Sequence, residues 1–382
     1  MPKRIFAFII CTAVLILNCL PAYAAGFSTE EMEAESALLM ELSSGQVIFE
    51  KDMHKKVAPA SITKLMTMLL VMEELSSGRM AVSDMLTCSE YASHMGGSEI
   101  WLEEGEQMSV DDLLKAVFVA SANDAAVVFA EQIAGTEDEF VRRMNLRAQE
   151  MGLEHTNFVN CTGFDEDGHY TCAFDIAQLA RKLMEYPLVK EYTTIWMDTL
   201  RSGKTELTNT NRLVRFYQGI TGLKTGHTDN AGSCLCATAQ RGNLNLISVV
   251  MKCPSADIRN KISRQLLDYG FANYEFAAPP PADEQLTPLK VLHGTEPFAQ
   301  LYCDPPPGIL LPKGSSTRME QFVILDESAA APLERDSIVG RVEVFAGDEK
   351  LLEYPVRVKQ TIPEMTFSRA LMHISKQLLN LK

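Results

Sequence analysis

Basic residues are scarce in this sequence, and internal repeats are absent. The chain has 35 Lys and Arg against 50 Asp and Glu, which gives a formal net charge of −15. Proteins that bind nucleic acids neutralise phosphates with basic patches, so this acid excess argues against a nucleic-acid partner. No repeat or low-complexity tract occurs, which excludes a repeat architecture. Hydrophobic residues make up 46% of the 382 residues, enough for a full core and for two or three domains.

The N-terminal segment has the pattern of a secretory signal. A basic start at residues 3 and 4 precedes an apolar run over residues 5–20. Small residues at the A-x-A spacing follow in the segment PAYAA and predict a cut after Ala24. We therefore interpret residues 1–24 as a signal peptide. The alternative is an uncleaved anchor helix, for which this apolar run is short.

Cysteines at metal-binding spacings are missing as well. No C-x-x-C pair occurs among the nine cysteines, and no paired spacing suggests a zinc site. Two cysteines would leave with the signal peptide. The seven that remain are an odd number, and we interpret them as buried free thiols that behave as small hydrophobes. The sequence implies no metal, nucleotide or organic cofactor.

Hydrophobic patterning predicts an α+β domain over residues 25–275. A hairpin is predicted over residues 37–50, and the apolar run over 62–75 predicts a helix buried in the core. Residues 109–135 predict two helices separated by a polar turn. Further helices are expected over 137–151, 175–184 and 256–269, with Gly270 as a helix stop, and strands over 220–225, 233–240 and 244–253. Strands at both chain ends with helices between them indicate one sheet assembled from both ends.

The composition changes after residue 275. Residues 276–285 are rich in proline and predict a stiff linker. Short apolar segments among Pro and Gly turns then predict strands over 290–292, 322–325, 342–346 and 354–358. We interpret residues 286–361 as a small all-β domain.

Residues 363–382 predict a C-terminal amphipathic helix. Phe367, Leu371 and Ile374 recur at helical spacing on one side, and Leu378 and Leu381 continue the stripe. No acidic residue follows Glu364, although the chain is acidic elsewhere. A helix of this kind lies in a membrane interface. The alternative is a terminal helix that packs on the β domain.

The first chemical motif is Ser61-Ile62-Thr63-Lys64. Residues i and i+3 of a helix share a face, so the Lys64 amine can reach the Ser61 hydroxyl. A serine needs a base to become a nucleophile, and a lysine can serve only when burial or a nearby cation makes it neutral. The apolar helix supplies the burial. Alone, the motif is more typical of a capping serine followed by a surface lysine than of a catalytic pair.

Two further motifs follow in order. Ser121 and Asn123 lie in the polar turn between two predicted helices, where a hydroxyl and an amide can point into one cleft. The alternative there is a helix cap. Lys224, Thr225 and Gly226 lie in a predicted strand, where glycine lets a ligand approach the backbone and a strand edge can bind an extended peptide. The alternative is a simple strand-end turn.

The three motifs together resemble the active-site serine enzymes that recognise penicillin. Residues 58–67, 121–126 and 222–228 are similar to the low-molecular-mass penicillin-binding proteins that act as serine D-alanyl-D-alanine carboxypeptidases, and so are 209–213 and 259–271. The resemblance covers about residues 30–275 and extends more loosely to the β domain and terminal helix. It implies a β-lactamase-like transpeptidase domain, with helices around an antiparallel sheet.

This resemblance implies a role for each site residue. Ser61 would be the nucleophile, Lys64 its general base and Ser121 a proton relay, while Asn123 would orient the substrate amide. Lys224 would add positive charge that keeps the base neutral. Thr225 and Arg259 would hold the terminal carboxylate of the substrate. The backbone N–H groups of the nucleophile and of His227 would form an oxyanion hole.

The implied partners are peptidoglycan stem peptides ending in D-Ala-D-Ala, β-lactams as inhibitors, and the membrane surface. The protein would be exported to the outer face of the cytoplasmic membrane. A D,D-endopeptidase, a transpeptidase, a β-lactamase or a non-catalytic penicillin-binding scaffold remain alternatives on the same fold. Position 162 is Thr where some family members have His, so a role of that His does not transfer, and we assign His169 to the packing of its own loop.

Overall fold

The computed structural model describes residues 32–379, which form two compact units. The first unit extends to Asn273, and the second begins at Tyr274 and also includes the turns Glu41–Gln46 and Gly242–Asn245. The predicted signal peptide, residues 1–24, lies outside the described residues.

The first unit contains nine strands and nine α-helices among the described residues. Its strands are β1 (Ser36–Glu41), β2 (Val47–Lys51), β3 (Met85–Thr87), β4 (Gln107–Ser109), β5 (Met197–Leu200), β6 (Thr205–Thr208), β7 (Ile220–Thr228), β8 (Gly232–Arg241) and β9 (Leu244–Cys253). Its helices are α1 (Lys64–Ser76), α2 (Glu90–Ser93), α3 (Val110–Lys115), α4 (Asn123–Ala134), α5 (Glu137–Glu150), α6 (Ala173–Leu183), α7 (Pro187–Thr193), α8 (Leu213–Phe216) and α9 (Ala256–Asn273).

The main sheet combines strands from both ends of this unit, as the sequence predicts. Its order is β2-β1-β9-β8-β7, with antiparallel pairing of β1 with β2 and of β7 with β8. All six residues of β1 are buried, as are seven of the ten in β8. Such continuous burial explains why these strands read as apolar runs rather than as alternating patterns. Strand β7 lies at the edge of the sheet, so one side of its backbone has no partner strand there.

Helix α1 is buried nearly all round, as its composition predicts. Eight of its thirteen residues are buried, among them Lys64 at its first position. The helix begins two residues later than expected, because Ala60–Thr63 forms a 3₁₀ turn. Ser61 therefore lies in this turn, and Lys64 opens the α-helix.

The prediction that Gly270 stops its helix is wrong. Helix α9 continues through Gly270 to Asn273. A Cβ atom on Gly270 would lie 2.5 Å from Leu246 Cδ1 and 3.1 Å from Leu39 Cδ2, two side chains of the main sheet. The glycine thus allows the helix to pack closely on the sheet, and it does not end the helix.

The second unit is built of short strands around its own core. The strands are β10 (Tyr274–Ala277), β11 (Leu289–Leu292), β12 (Phe298–Ala299), β13 (Leu301–Cys303), β14 (Ile309–Pro312), β15 (Met319–Leu325), β16 (Ala329–Ala330), β17 (Ile338–Ala346) and β18 (Glu349–Val358). They form sheets of order β13-β18-β17-β15, β12-β11-β16 and β10-β14. All four predicted strand segments are found, each within a longer strand. Strand β10 begins two residues before the predicted linker, and the exact domain boundaries stay a prediction.

The last described element is helix α10 (Phe367–Leu379). Its apolar residues Phe367, Leu371 and Ile374 are 86%, 59% and 55% exposed. The side chain of Leu378 and all of Leu381 lie outside the described part of the chain. Across residues 32–379, no helix is both long and apolar enough to cross a membrane.

Candidate active site

Ser61 lies on a tight turn, and Gly163 and Gly226 both pack against the backbone of this turn. Ala60 in this turn has a φ of +48°. A Cβ atom on Gly226 of strand β7 would lie 2.9 Å from the Pro59 carbonyl oxygen and 3.1 Å from the Ser61 nitrogen. The absence of a side chain at Gly226 therefore brings the edge strand directly against the backbone of Ser61.

The Lys64 amine lies between three oxygen atoms. Its Nζ is 3.0 Å from Ser61 Oγ, 2.6 Å from Asn123 Oδ1 and 2.7 Å from the Thr162 carbonyl oxygen. A neutral amine has two N–H donors and one lone pair. The amide and carbonyl oxygens can only accept from this amine, so they take the two donors. The lone pair then faces the Ser61 hydroxyl, which is the arrangement that a general base requires.

The pKa of the Lys64 amine fits this arrangement. The side chain is completely buried, and burial lowers its pKa from 10.5 to about 7, although the nearby Cys161 and Asp124 oppose the shift. Desolvation disfavours the charged form of an amine. A large fraction of the Lys64 side chains is therefore neutral near pH 7.

Ser121 lies in the turn before helix α4, and Asn123, the first residue of that helix, contacts Lys64. Ser121 has a φ of +65°, and neither residue caps the helix, since Ala122 is the N-cap residue and makes no side-chain cap bond. Asn123 Nδ2 donates to the Gly96 carbonyl at 2.8 Å, so its Oδ1 is turned toward Lys64. The helix-cap alternative is thus wrong, and the amide orientation is fixed.

Lys224 forms a second buried amine site. Its Nζ donates to Ser121 Oγ at 2.8 Å and to the Thr225 carbonyl at 3.0 Å. Burial, together with the positive charges of Lys64 and Arg259, lowers the pKa of Lys224 well below its usual range. The second and third motifs are therefore joined by a direct hydrogen bond between Lys224 and Ser121.

An open cavity of about 640 Å³ lies over these groups. Six of the predicted site residues line it, namely Ser61, Ser121, Thr225, Gly226, His227 and Arg259. The other three predicted residues are buried beneath the cavity. Hydrogen bonds join Lys64 to Ser61, Asn123 to Lys64, and Lys224 to Ser121. The structure thus brings all nine predicted residues to one cavity and its floor.

The residues that the sequence predicts to bind the substrate carboxylate and the oxyanion differ in exposure. Thr225 Oγ1 donates to Thr210 Oγ1 at 2.7 Å. Arg259 is 6% exposed, and its Nη1 donates to the carbonyls of Gly226 and Cys234 at 3.4 and 3.2 Å. His227 is exposed at the end of β7. A buried guanidinium at a cavity wall is suited to bind an anion.

Sequence reasoning missed several contributors to this site. The Thr162 carbonyl accepts a hydrogen bond from Lys64, and a backbone acceptor leaves no side-chain signal in a sequence. Asp124 accepts hydrogen bonds from the backbone of Ile100 and Leu102, and its position directly after Asn123 was a possible signal. These bonds hold the segment whose Ser98 carbonyl accepts from the Asn123 backbone at 2.6 Å.

His169 does more than fill its own loop. Its Nε2 lies 2.9 Å from Thr63 Oγ1, in the turn that carries Ser61. Burial lowers the pKa of His169 to about 4, so the ring is neutral at pH 7. The assignment of His169 to loop packing alone is therefore incomplete, because the ring also contacts the Ser61 turn.

Replacing Gly163 with alanine is expected to destabilise the protein by about 3 kcal/mol, since it combines steric overlap with backbone strain. Gly163 has a φ of +94°, and a Cβ atom there would lie 1.9 Å from the Ala60 carbonyl oxygen. Gly152→Ala is the matched control, because Gly152 has a φ of +70° with no atom within 4 Å. It should cost only about 1 kcal/mol. Chemical denaturation measures both, and equal losses would contradict the proposed overlap.

Comparisons with known proteins agree with this geometry. Residues 24–255 match the family described as D-alanyl-D-alanine carboxypeptidase, and residues 274–364 match the C-terminal domain of penicillin-binding protein 5. The D-alanyl-D-alanine carboxypeptidase DacF of Bacillus subtilis is 38% identical over 373 residues, which cover 96% of each chain. The chain belongs to the D-alanyl-D-alanine carboxypeptidase family. The resemblance inferred from the three motifs is thereby confirmed.

Solved structures related to this carboxypeptidase family have the same fold. Penicillin binding protein 5 from Haemophilus influenzae aligns with a TM-score of 0.80 and 31% identity, covering 89% of this chain and 100% of that chain. Penicillin-binding protein D2 from Listeria monocytogenes, solved with ampicillin bound, aligns with a TM-score of 0.56 and 32% identity, covering 63% of this chain and 98% of that chain. The predicted fold, a transpeptidase-like α+β domain followed by an all-β domain, is confirmed.

Proposed function

We propose that this member of the family is a serine-type D-alanyl-D-alanine carboxypeptidase that removes the last D-Ala from peptidoglycan stem peptides and is acylated by penicillins. The observation that carries the proposal is the buried Lys64 amine, with a lowered pKa, 3.0 Å from the Ser61 hydroxyl. Family membership supports the same activity.

In the acylation step, Ser61 Oγ attacks the carbonyl carbon of the penultimate D-Ala, and its proton passes to the lone pair of Lys64. The backbone N–H groups of Ser61 and His227 stabilise the oxyanion, each worth about 3 kcal/mol in other acyl-transfer enzymes. The C–N bond then breaks. Ser121 passes its hydroxyl proton to the departing amine and takes up the proton held by Lys64, which returns Lys64 to its neutral form. The bond from Lys224 orients the Ser121 hydroxyl for this transfer.

In the second step, Lys64 takes a proton from the water that attacks the Ser61 ester and gives it to Ser61 Oγ as the ester C–O bond breaks. The shortened peptide leaves as a carboxylic acid, which ionises in solvent. A β-lactam would enter only the first step efficiently. Its leaving amine belongs to the same ring system as the acyl group, so it stays tethered in the cavity after the C–N bond breaks. We therefore expect a long-lived penicilloyl ester on Ser61.

A carboxypeptidase must recognise the terminal carboxylate of its substrate. We assign its recognition to Thr225 and Arg259, which line the same cavity as Ser61. Arginine and a hydroxyl together supply charge-assisted hydrogen bonds to a carboxylate. Asn123, held by Lys64 and Gly96, would orient the amide of the substrate.

The test is D-alanine release from a peptide that ends in L-Lys-D-Ala-D-Ala, compared with the same peptide ending in L-Ala and with a cross-linked peptide dimer. Release from the first peptide alone is the expected result. Cleavage of the dimer alone would favour the endopeptidase. Labelling by penicillin without any peptide turnover would favour the non-catalytic scaffold, and rapid hydrolysis of penicillin would favour a β-lactamase.

The acylation rate is expected to depend on pH through Lys64. The neutral amine is the active form, and a pKa of about 7 means that this form is lost as the pH falls below 7. The rate constant for acylation by a labelled penicillin should therefore fall about tenfold per pH unit below pH 6 and level off above pH 8. A rate that kept rising up to pH 10 would mean that Lys64 keeps an ordinary lysine pKa.

We also propose that the protein is exported and that its C-terminal helix attaches it to the membrane surface. The exposed apolar side chains of Phe367, Leu371 and Ile374 support this, together with the lack of acidic residues after Glu364. Leu371→Asp should abolish co-sedimentation with anionic vesicles. Phe298→Asp, at an apolar residue that is 55% exposed elsewhere in the second unit, should leave it unchanged. Equal binding by both variants would contradict the proposed attachment.

A further inference from the structure

Two histidines and a cysteine meet outside the active-site cavity. His54 follows strand β2, His155 lies in the loop after helix α5, and Cys172 is the N-cap residue of helix α6. Their candidate ligand atoms all lie within 4.8 Å of one another. We call these three residues the His–Cys cluster.

The donor set of the His–Cys cluster is that of a zinc site. Imidazole nitrogen and thiolate sulfur are the ligands that zinc prefers, and three protein ligands leave a fourth position for water. With metal–ligand bonds of about 2.0 to 2.3 Å, the ligand atoms of a tetrahedral site lie about 3.3 to 3.7 Å apart. The candidate ligand atoms of the cluster are therefore up to about 1 Å farther apart than the ligand atoms around a bound zinc ion.

The side chains have the freedom to close this gap. His54 is exposed and His155 is half-buried, so close packing does not fix the orientation of either ring. The His54 ring contacts the rings of His155 and Phe174 at tilted angles of 38° and 50°, with centroid distances of 5.2 and 5.0 Å. Aromatic packing alone would account for the two rings, but it gives no reason for a thiol at their contact.

Cys172 has its sulfur at the N-terminus of helix α6. Its Sγ accepts a hydrogen bond from the Asp175 backbone N–H at 3.4 Å, at the N-terminus of helix α6. Burial raises the pKa of the Cys172 thiol to about 12, so the thiol is protonated in the metal-free protein. Metal binding would require the thiol to release its proton to solvent as the sulfur–metal bond forms.

We propose that His54, His155 and Cys172 bind one zinc-type divalent transition-metal ion, with water as the fourth ligand. His155 and Cys172 lie at the two ends of the loop that includes Thr162, the residue whose carbonyl accepts a hydrogen bond from Lys64. His54 lies on the segment that leads to Ser61. The two segments are already joined by a hydrogen bond from the Val57 N–H to the Thr171 carbonyl.

A bound ion would cross-link two segments of the active site. It would join the segment before Ser61 to both ends of the loop whose Thr162 carbonyl accepts a hydrogen bond from Lys64. Because the ion would bind the folded chain and lose its ligands on unfolding, it should raise the melting temperature by an amount that grows with the logarithm of its concentration relative to its dissociation constant.

The experiment uses the full chain, purified with a chelator and kept reduced, and titrated with Co²⁺ as a spectroscopic probe and then with Zn²⁺ in competition. We expect one equivalent of Co²⁺ to produce a thiolate-to-metal charge-transfer band, and Zn²⁺ to displace it. Cys172→Ser should abolish the band, and His155→Ala should weaken Zn²⁺ binding by at least about 100-fold, more than the loss of an outer partner costs. Zn²⁺ should raise the melting temperature of the wild type and leave that of Cys172→Ser unchanged.

Two controls separate a specific site from folding effects. Serine is itself a good helix N-cap, so Cys172→Ser should fold and melt near the metal-free wild type. Cys253→Ser, which removes another buried cysteine, and His94→Ala, which removes an exposed histidine, should keep the full Co²⁺ spectrum. A spectrum that persists in Cys172→Ser, or no binding at millimolar metal, would overturn the proposal.

Discussion

Replacing Ser61 with alanine is expected to lower kcat/KM for D-alanine release by at least about 10⁴-fold, because among the described residues Ser61 supplies the hydroxyl that is bonded to the Lys64 amine. The hydroxyl that faces the Lys64 lone pair is removed, while the cavity and the two buried amines remain. Substrate can still bind, so the loss should appear in kcat. Two measurements report on Ser61 Oγ, namely D-alanine release and the stoichiometry of protein labelling by labelled penicillin. Both should fall to background.

The control for Ser61→Ala is Ser77→Ala, which removes an exposed hydroxyl just after helix α1. This variant should keep full activity and full labelling. Thermal unfolding should show that Ser61→Ala remains folded. Stoichiometric penicillin labelling of a folded Ser61→Ala variant would assign the nucleophile to another residue, and the proposed mechanism would then fail.

Lys64→Arg is expected to lower the acylation rate by about 10³-fold, within the range that general-base catalysis contributes. Arginine keeps the positive charge but is always protonated in proteins, so it has no lone pair for the Ser61 proton. The lysine amine instead reaches a neutral form near pH 7 because it is completely buried. The measurement is the rate constant for acylation by a labelled penicillin.

A second variant shows whether a loss of rate in Lys64→Arg comes from misfolding. Lys64→Met has a similar length and no charge, so it avoids placing the larger arginine among Asn123 and Thr162. It should lose acylation to the same extent and should melt at or above the wild-type temperature, since burying an amine is costly. If Lys64→Arg kept more than a tenth of the wild-type rate, the lysine would act by its charge and not as a base.

The site was predictable because each of its motifs is local. Ser61 and Lys64 are three residues apart, Ser121 and Asn123 two apart, and each pair depends on the geometry of a single turn. The predicted positions come together in the structure. The roles assigned to them stay predictions until the variants are measured.

The parts of the fold that sequence patterning missed are short or polar. Strands β3 to β6 have only three or four residues each, and α7 and α8 have seven and four. Elements of this length bury too few residues to produce a clear period. The prediction that Gly270 ends its helix failed for another reason. Its role depends on contact with Leu39 and Leu246, which belong to sheet strands distant in the sequence.

The sequence by itself determined the family, the order of the strands and helices around the site, and the identity of its polar residues. Tertiary structure alone decided how completely Lys64 is buried, that the Thr162 carbonyl turns toward it, and that His54, His155 and Cys172 lie within reach of one ion. These properties depend on how distant segments pack, and burial, backbone direction and long-range proximity have no local pattern to predict them.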